Sequence, residues 1–197
     1  MTGYQEMLTD PSYHGQILTL TTSHVGQVGV NRADAESDNI WARALVVQDL
    51  DLEASSWRAE TDAEAWLVEH SVAVGWGFDT RTIVRHVRTA GAVPGVLVTD
   101  GTTPHELMER AARARGTDGR DLAREVACRS PYEFDEAPWR SPSHSARPAA
   151  AGPRAAVIDY GVKRSILRRL VAEGLAITVL PPDSPADAIL GGGFSGV

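Results

Sequence analysis

One cysteine, Cys128, occurs in 197 residues. A lone thiol excludes an internal disulfide and any cysteine-rich zinc site, and it suits a reducing compartment. No apolar run approaches the length needed to cross a bilayer. The opening residues carry Glu6 and Asp10 before any apolar stretch, which is not signal-peptide chemistry, so a cytoplasmic location is expected. Basic charge is also scarce: the net charge is -7 and there is no basic stripe, which argues against nucleic acid or an anionic membrane as partner. The densest basic run, Lys163-Arg164 with Arg168-Arg169, falls on a helical pattern and reads as a solvated face. Neither G-x-G-x-x-G nor G-x-x-x-x-G-K-[ST] is present, so no dinucleotide or P-loop site is indicated.

The patterning is that of an α/β protein. A turn at Asp10–Tyr13 feeds a short β-branched strand at Gln16–Thr21, and Ala44–Val47 is a second buried strand. Thr61-Asp62-Ala63-Glu64 has capping-box spacing, which predicts a helix from Thr61 to about His70. Val72–Val74 reads as a strand. Asp79 caps a helix with Ile83, Val84 and Val87 on one face and Arg81, Arg85 and Arg88 on the other, and Gly91 ends it. Gly95–Val98 reads as a further strand. Thr103-Pro104-His105-Glu106 is a second capping box, opening a helix to about Arg115, and Asp121–Val126 adds a short turn of helix.

From Ser130 the composition turns to proline, serine and alanine without a period, which is linker chemistry. Ala155–Ile158, Val162–Glu173 and Ala176–Leu180 then form a strand–helix–strand unit with parallel strands expected. A single such unit leaves a parallel sheet uncovered, so apolar strand residues at Val157–Ile158 and Ile177–Leu180 are expected to be exposed, and both ends of the chain read as cut.

Chemistry-bearing residues are few. Cys128 sits at the end of a helix, where the dipole opposes a thiolate, so a structural role is favoured over a nucleophilic one. The six histidines, at 14, 24, 70, 86, 105 and 144, form no H-x-x-x-H pair, and no metal site is expected. His14 and His24 flank one strand; they either meet in space or are ordinary surface histidines. Asp159 lies at the carboxyl end of a parallel strand, where α/β sheets place ligands, although a turn or helix-cap role is the simpler one. Ser12 is either turn chemistry or a hydroxyl presented from a rigid turn to a small polar ligand.

The stretch TGYQEMLTDPSYHGQILTLTTSHVGQVGVN resembles the small chain of glutamine-hydrolysing carbamoyl phosphate synthase near its N-terminus. FDTRTIVRHVRTAGAVPG, GRDLAREV and AAVIDYGVKRSILRRLVAEGLAITVLP follow in the same order. That resemblance implies a β/β/α N-terminal domain at 1–130 lacking its first strands, and a linker at 131–153. The incomplete start of a flavodoxin-like glutaminase domain would then occupy 154–197. It implies an amidotransferase of the ligase class that hydrolyses glutamine and hands ammonia to a large chain. That large chain uses ATP and magnesium to make carbamoyl phosphate for pyrimidine and arginine synthesis. No cofactor is implied in this chain. Ser12, in D-P-S-Y, matches the family serine that contributes to the glutamine site.

The family's Cys–His–Glu lies beyond an N-G-P-G-D loop that follows the position of Val197. No catalytic residue is therefore assigned, and the chain as given is expected to be inactive alone. Where the family has an aliphatic residue before D-T-R, this chain has Phe78. The rival reading is a noncatalytic docking or regulatory module that binds the large chain.

Overall fold

The computed structural model describes residues 3–140 and 152–197. The chain is α/β and divides into two compact units, 1–120 and 121–197.

In the first unit, β1 (Ile17–Thr19), β2 (Ala44–Val46) and β3 (Ala73–Gly75) form a parallel sheet in that order. Ile17 pairs with Ala44, and Ala44 with Ala73. Every residue of the central strand is buried, as a strand flanked on both sides requires. The core gathers Tyr4 and Leu8 of α1 (Tyr4–Thr9), Leu18, Leu45 and Val47 of the sheet region, and Trp66 and Leu67 of α2 (Ala63–Glu69). Helix α3 (Thr80–Ala90) starts at Asp79, whose carboxylate accepts from the Thr82 N–H at 3.0 Å, and stops at Gly91 with φ 83°. Helix α4 (Pro104–Arg113) opens on a complete capping box between Thr103 and Glu106.

Two expectations fail in this unit. The box at Thr61 does not form: α2 begins after Asp62, and the Asp62 carboxylate instead accepts from the Ala54 N–H at 2.6 Å. Thr61 is held in an antiparallel bridge with Val30, which takes its backbone out of capping geometry. Gly95–Val98 forms no strand. Pro94 removes a donor at its edge, and Val96–Val98 is half-buried with no ladder; a short apolar run alone cannot distinguish these cases.

In the second unit, α5 (Leu122–Val126) leads to β4 (Tyr132–Phe134), which lies beside the last strand in sequence of a three-stranded sheet. β5 (Arg154–Ile158) and β6 (Ala176–Leu180) are parallel and joined through α6 (Arg164–Ala172), as expected. β4 is antiparallel to β6, with Phe134 opposite Ile177. Residues 132–134, expected at the start of the linker, are thus a sheet edge. Phe134 packs with Leu167, Val171, Ile177 and Val179. Residues 141–151 of the expected linker, His144 among them, lie outside the described residues. Ile177, Val179 and Leu180 are buried rather than exposed, because β4 and β5 flank β6 and α6 packs against it. Along the outer edge of β5, Ala155 bridges Gly196 in parallel, and α7 (Ala186–Gly191) precedes that return.

Candidate functional site

The residues of the Y-Q-x-x-L-T-D-P-S-Y stretch do distinct jobs around one turn. Tyr4 is 1% exposed, and its hydroxyl is shared between the carbonyls of Gly26 and Gly29. Both glycines have positive φ, and a Cβ on either would collide with Asp51 or Ala59. Burial, then the nearby Glu6, Asp34 and Asp51 carboxylates, hold the Tyr4 phenol well above its usual range. The Gln5 amide clasps the Asn31 backbone, donating to its carbonyl at 2.6 Å and accepting from its N–H at 3.1 Å.

Thr9 Oγ donates to the Gln5 carbonyl at 2.8 Å and accepts from the Glu36 N–H at 2.9 Å. Ser37 Oγ donates to the Thr9 carbonyl at 2.7 Å. Asp10 then caps the next turn: its Oδ1 accepts from the Ser12 N–H at 2.8 Å, and Pro11–Tyr13 closes as a single 3-10 turn. The Gln16 side chain donates to the Ser12 carbonyl at 3.1 Å. Thr9, Asp10 and Pro11 are buried while Ser12 is exposed. A hydroxyl so placed, on a backbone held from three directions, can meet a polar ligand without loop reordering. The signal in the sequence for this was Asp-Pro-Ser; the parts played by Gln5, Thr9 and Tyr4 came only from the fold.

Cys128 occupies a different setting, in the second unit. Asp159, 6% exposed, accepts from the Cys128 N–H at 2.7 Å through Oδ2 and from the Gly161 and Val162 N–H groups at 2.8 and 2.9 Å through Oδ1. Of the turn and helix-cap roles expected of Asp159, this is the turn; the residue that caps α6 is Lys163, with no side-chain cap bond. Burial, then the Asp159 carboxylate, push the Cys128 thiol up to about 11. It is therefore a protonated thiol at neutral pH, the reverse of an activated nucleophile. No histidine occurs among the described residues of this unit.

Among the described histidines, His14 lies edge-on against Trp41, His24 sits 3.6 Å from Asp51, and His105 sits 3.5 Å from Glu109. Among the described residues no group of three His, Cys, Asp or Glu is arranged to hold a metal ion. No helix among them is long and apolar enough to cross a membrane.

Comparison with known proteins adds the following. Residues 1–97 match the model for the carbamoyl-phosphate synthase small chain, CPSase domain. The chain is 40% identical over 200 residues to the carbamoyl phosphate synthase small chain of Parasynechococcus marenigrum, covering 96% of this chain and 50% of that one. It is 44% identical over 194 residues to the small chain of Stutzerimonas stutzeri, covering 96% and 50%. Against the small chain of Ruegeria pomeroyi it is 41% identical over 201 residues, covering 100% and 52%. The chain spans about half the length of these relatives.

Proposed function

For a chain that belongs to the carbamoyl-phosphate synthase small-chain family, we propose that its first unit contributes a wall of a glutamine site, with Ser12 as the contact. The supporting observation is the turn itself: buried Thr9, Asp10 and Pro11 fix the backbone, and the Ser12 hydroxyl is left at the surface. A hydroxyl accepts from an ammonium and donates to a carboxylate, and glutamine carries both at its α-carbon. In this reading the small chain supplies ammonia from glutamine to a carbamoyl phosphate synthase large chain. That partner performs the ATP- and magnesium-dependent steps, and its product feeds pyrimidine and arginine synthesis.

Amide hydrolysis by a thiol needs a thiolate, a base beside it and donors for the oxyanion. Cys128 has a carboxylate beside it and is held protonated, so it takes no catalytic role. These 197 residues by themselves are expected to release no ammonia from glutamine. Release above blank that a thiol reagent abolishes would overturn that assignment.

The partner is tested by co-expression with a large chain: co-purification is expected, and its failure counts against the subunit reading. For Ser12, the measurement is glutamine-dependent synthesis by a glutaminase-competent small chain carrying this turn. Ser12→Ala should raise the glutamine KM about tenfold, the loss of one charge-assisted hydrogen bond, with ammonia-dependent synthesis unchanged. An unchanged KM removes Ser12 from the site.

A further inference from the structure

The turn at Ser12 is followed by a feature that the glutamine reading leaves unused. A cavity of about 380 Å³ opens in the first unit between His14, the segment Asn39–Arg43 that leads into β2, and residues 70–72 that lead into β3. It lies at the amino ends of the parallel strands. Its walls are tied together by backbone bonds: the Gly15 N–H donates to the Trp41 carbonyl at 3.0 Å, and the Arg43 N–H to the Gln16 carbonyl at 2.8 Å. The Trp41 indole N–H donates to Ser37 Oγ at 2.9 Å, and the His14 ring stands edge-on to it with centroids 5.2 Å apart.

The polar side chains lining this cavity include Arg43, His14, His70 and Ser71, and none of the lining residues carries a carboxylate. In a chain of net charge -7 that local balance is unusual. No ion pair among the described residues engages Arg43. His70 Nδ1 lies 2.9 Å from the Trp66 carbonyl, which can only accept, so that nitrogen carries a proton and the ring is fixed at the cavity wall.

Ser71 gives an independent sign. After α2, the Ser71 N–H donates to the Val68 carbonyl at 3.0 Å and the Val72 N–H to the Leu67 carbonyl at 2.9 Å. This is a Schellman ending, whose residue after the cap is normally glycine because its φ is positive. Here it is serine, at φ 55°, the one non-glycine with positive φ among the described residues. A side chain stands here where its absence would be less strained, and Ser71 is one of the residues lining the cavity. The same bonds occupy the carbonyls of Leu67 and Val68, and the His70 N–H occupies that of Trp66, so the helix end does not present a row of bare acceptors.

We propose that this cavity binds a small molecule through an oxyanion group, carboxylate or phosphate, with Arg43 as the charged partner, the Ser71 hydroxyl as a further donor, and the His14 and His70 rings as its walls. A planar guanidinium suits either group, since both offer paired oxygens to its fork.

The test is a titration of the whole chain with inorganic phosphate, and separately with glutarate, at constant ionic strength, reading the histidine ring C–H resonances. Saturable shifts are expected at His14 and His70 and none at His24, His86 or His105. Saturation by phosphate alone, by glutarate alone or by both supports the shared oxyanion chemistry and identifies its source. Arg43→Ala should weaken binding about tenfold, as loss of one charge-assisted contact does. Ser71→Gly should weaken binding several-fold while raising the thermal midpoint, a pair of effects that a purely structural serine would not produce. Shifts that rise linearly with both anions, that are equal across the six histidines, or that survive both substitutions unchanged would overturn the proposal.

Discussion

Replacing Tyr4 by phenylalanine removes one oxygen from the centre of the first unit and little else. The ring is 1% exposed, and phenylalanine fills nearly the same space, so the burial terms for the two side chains largely cancel. The hydroxyl serves two carbonyls, but they are not equally dependent on it. The Gly26 carbonyl also accepts from the Gly29 N–H at 2.8 Å and keeps that partner. The buried Gly29 carbonyl loses the donor that Tyr4 supplies.

One buried acceptor left unsatisfied costs about 1–3 kcal/mol. For a unit of this size that lowers the melting midpoint by roughly 3–12 °C. Trp66, 9% exposed and in the same core, reports the transition by fluorescence. The m-value in urea should not change, since the surface exposed on unfolding is the same.

The pH dependence gives a second readout. The folded-state pKa of Tyr4 is raised, so its contribution is intact below the unfolded phenol value of about 10 and is lost as pH climbs above it. Tyr4→Phe should flatten that alkaline loss. A change below about 0.3 kcal/mol, with the alkaline limb unaltered, would refute the claim that this hydroxyl ties α1 to the glycine loop.

Two further outcomes follow from local geometry. Cys128, with its thiol pushed from 9 to about 11, should alkylate near pH 8 about a hundredfold more slowly than an ordinary thiol, since only the thiolate reacts; alkylation at the rate of a free cysteine would contradict the burial and the Asp159 contact. Thr103→Ala should cost α4 about 1 kcal/mol in hydrogen-exchange protection, whereas Thr61→Ala should leave α2 unchanged through capping, because only the first threonine caps a helix; equal effects would mean that the two sequence boxes behave alike.

Most elements were legible in the sequence because their signals are local. The β-branched runs at Ile17, Ala44 and Ala176 became strands, and the Asp79 and Thr103 caps opened helices where their spacing placed them. The strand–helix–strand unit from Arg154 to Leu180 is parallel, and its helix supplies the crossover that parallel neighbours require.

The misread elements are those that a distant partner decided. Thr61 carries a helix-start pattern, yet a bridge to Val30 holds its backbone and Ala54 takes up the Asp62 carboxylate. Tyr132–Phe134 is too short and too close to prolines to stand out, and it became a strand because the edge of β6 was open to it.

For the candidate sites, residue type and order alone pointed to the turn at Ser12, since Asp before Pro-Ser is a local instruction to the backbone. That same local order placed Cys128 at a helix end. Which side chains hold the turn, that Asp159 faces the thiol, and that Arg43 and Ser71 share a cavity were matters for the tertiary structure alone. Those pairs are separated by tens of residues, and hydrogen bonds and charges act through space rather than along the chain.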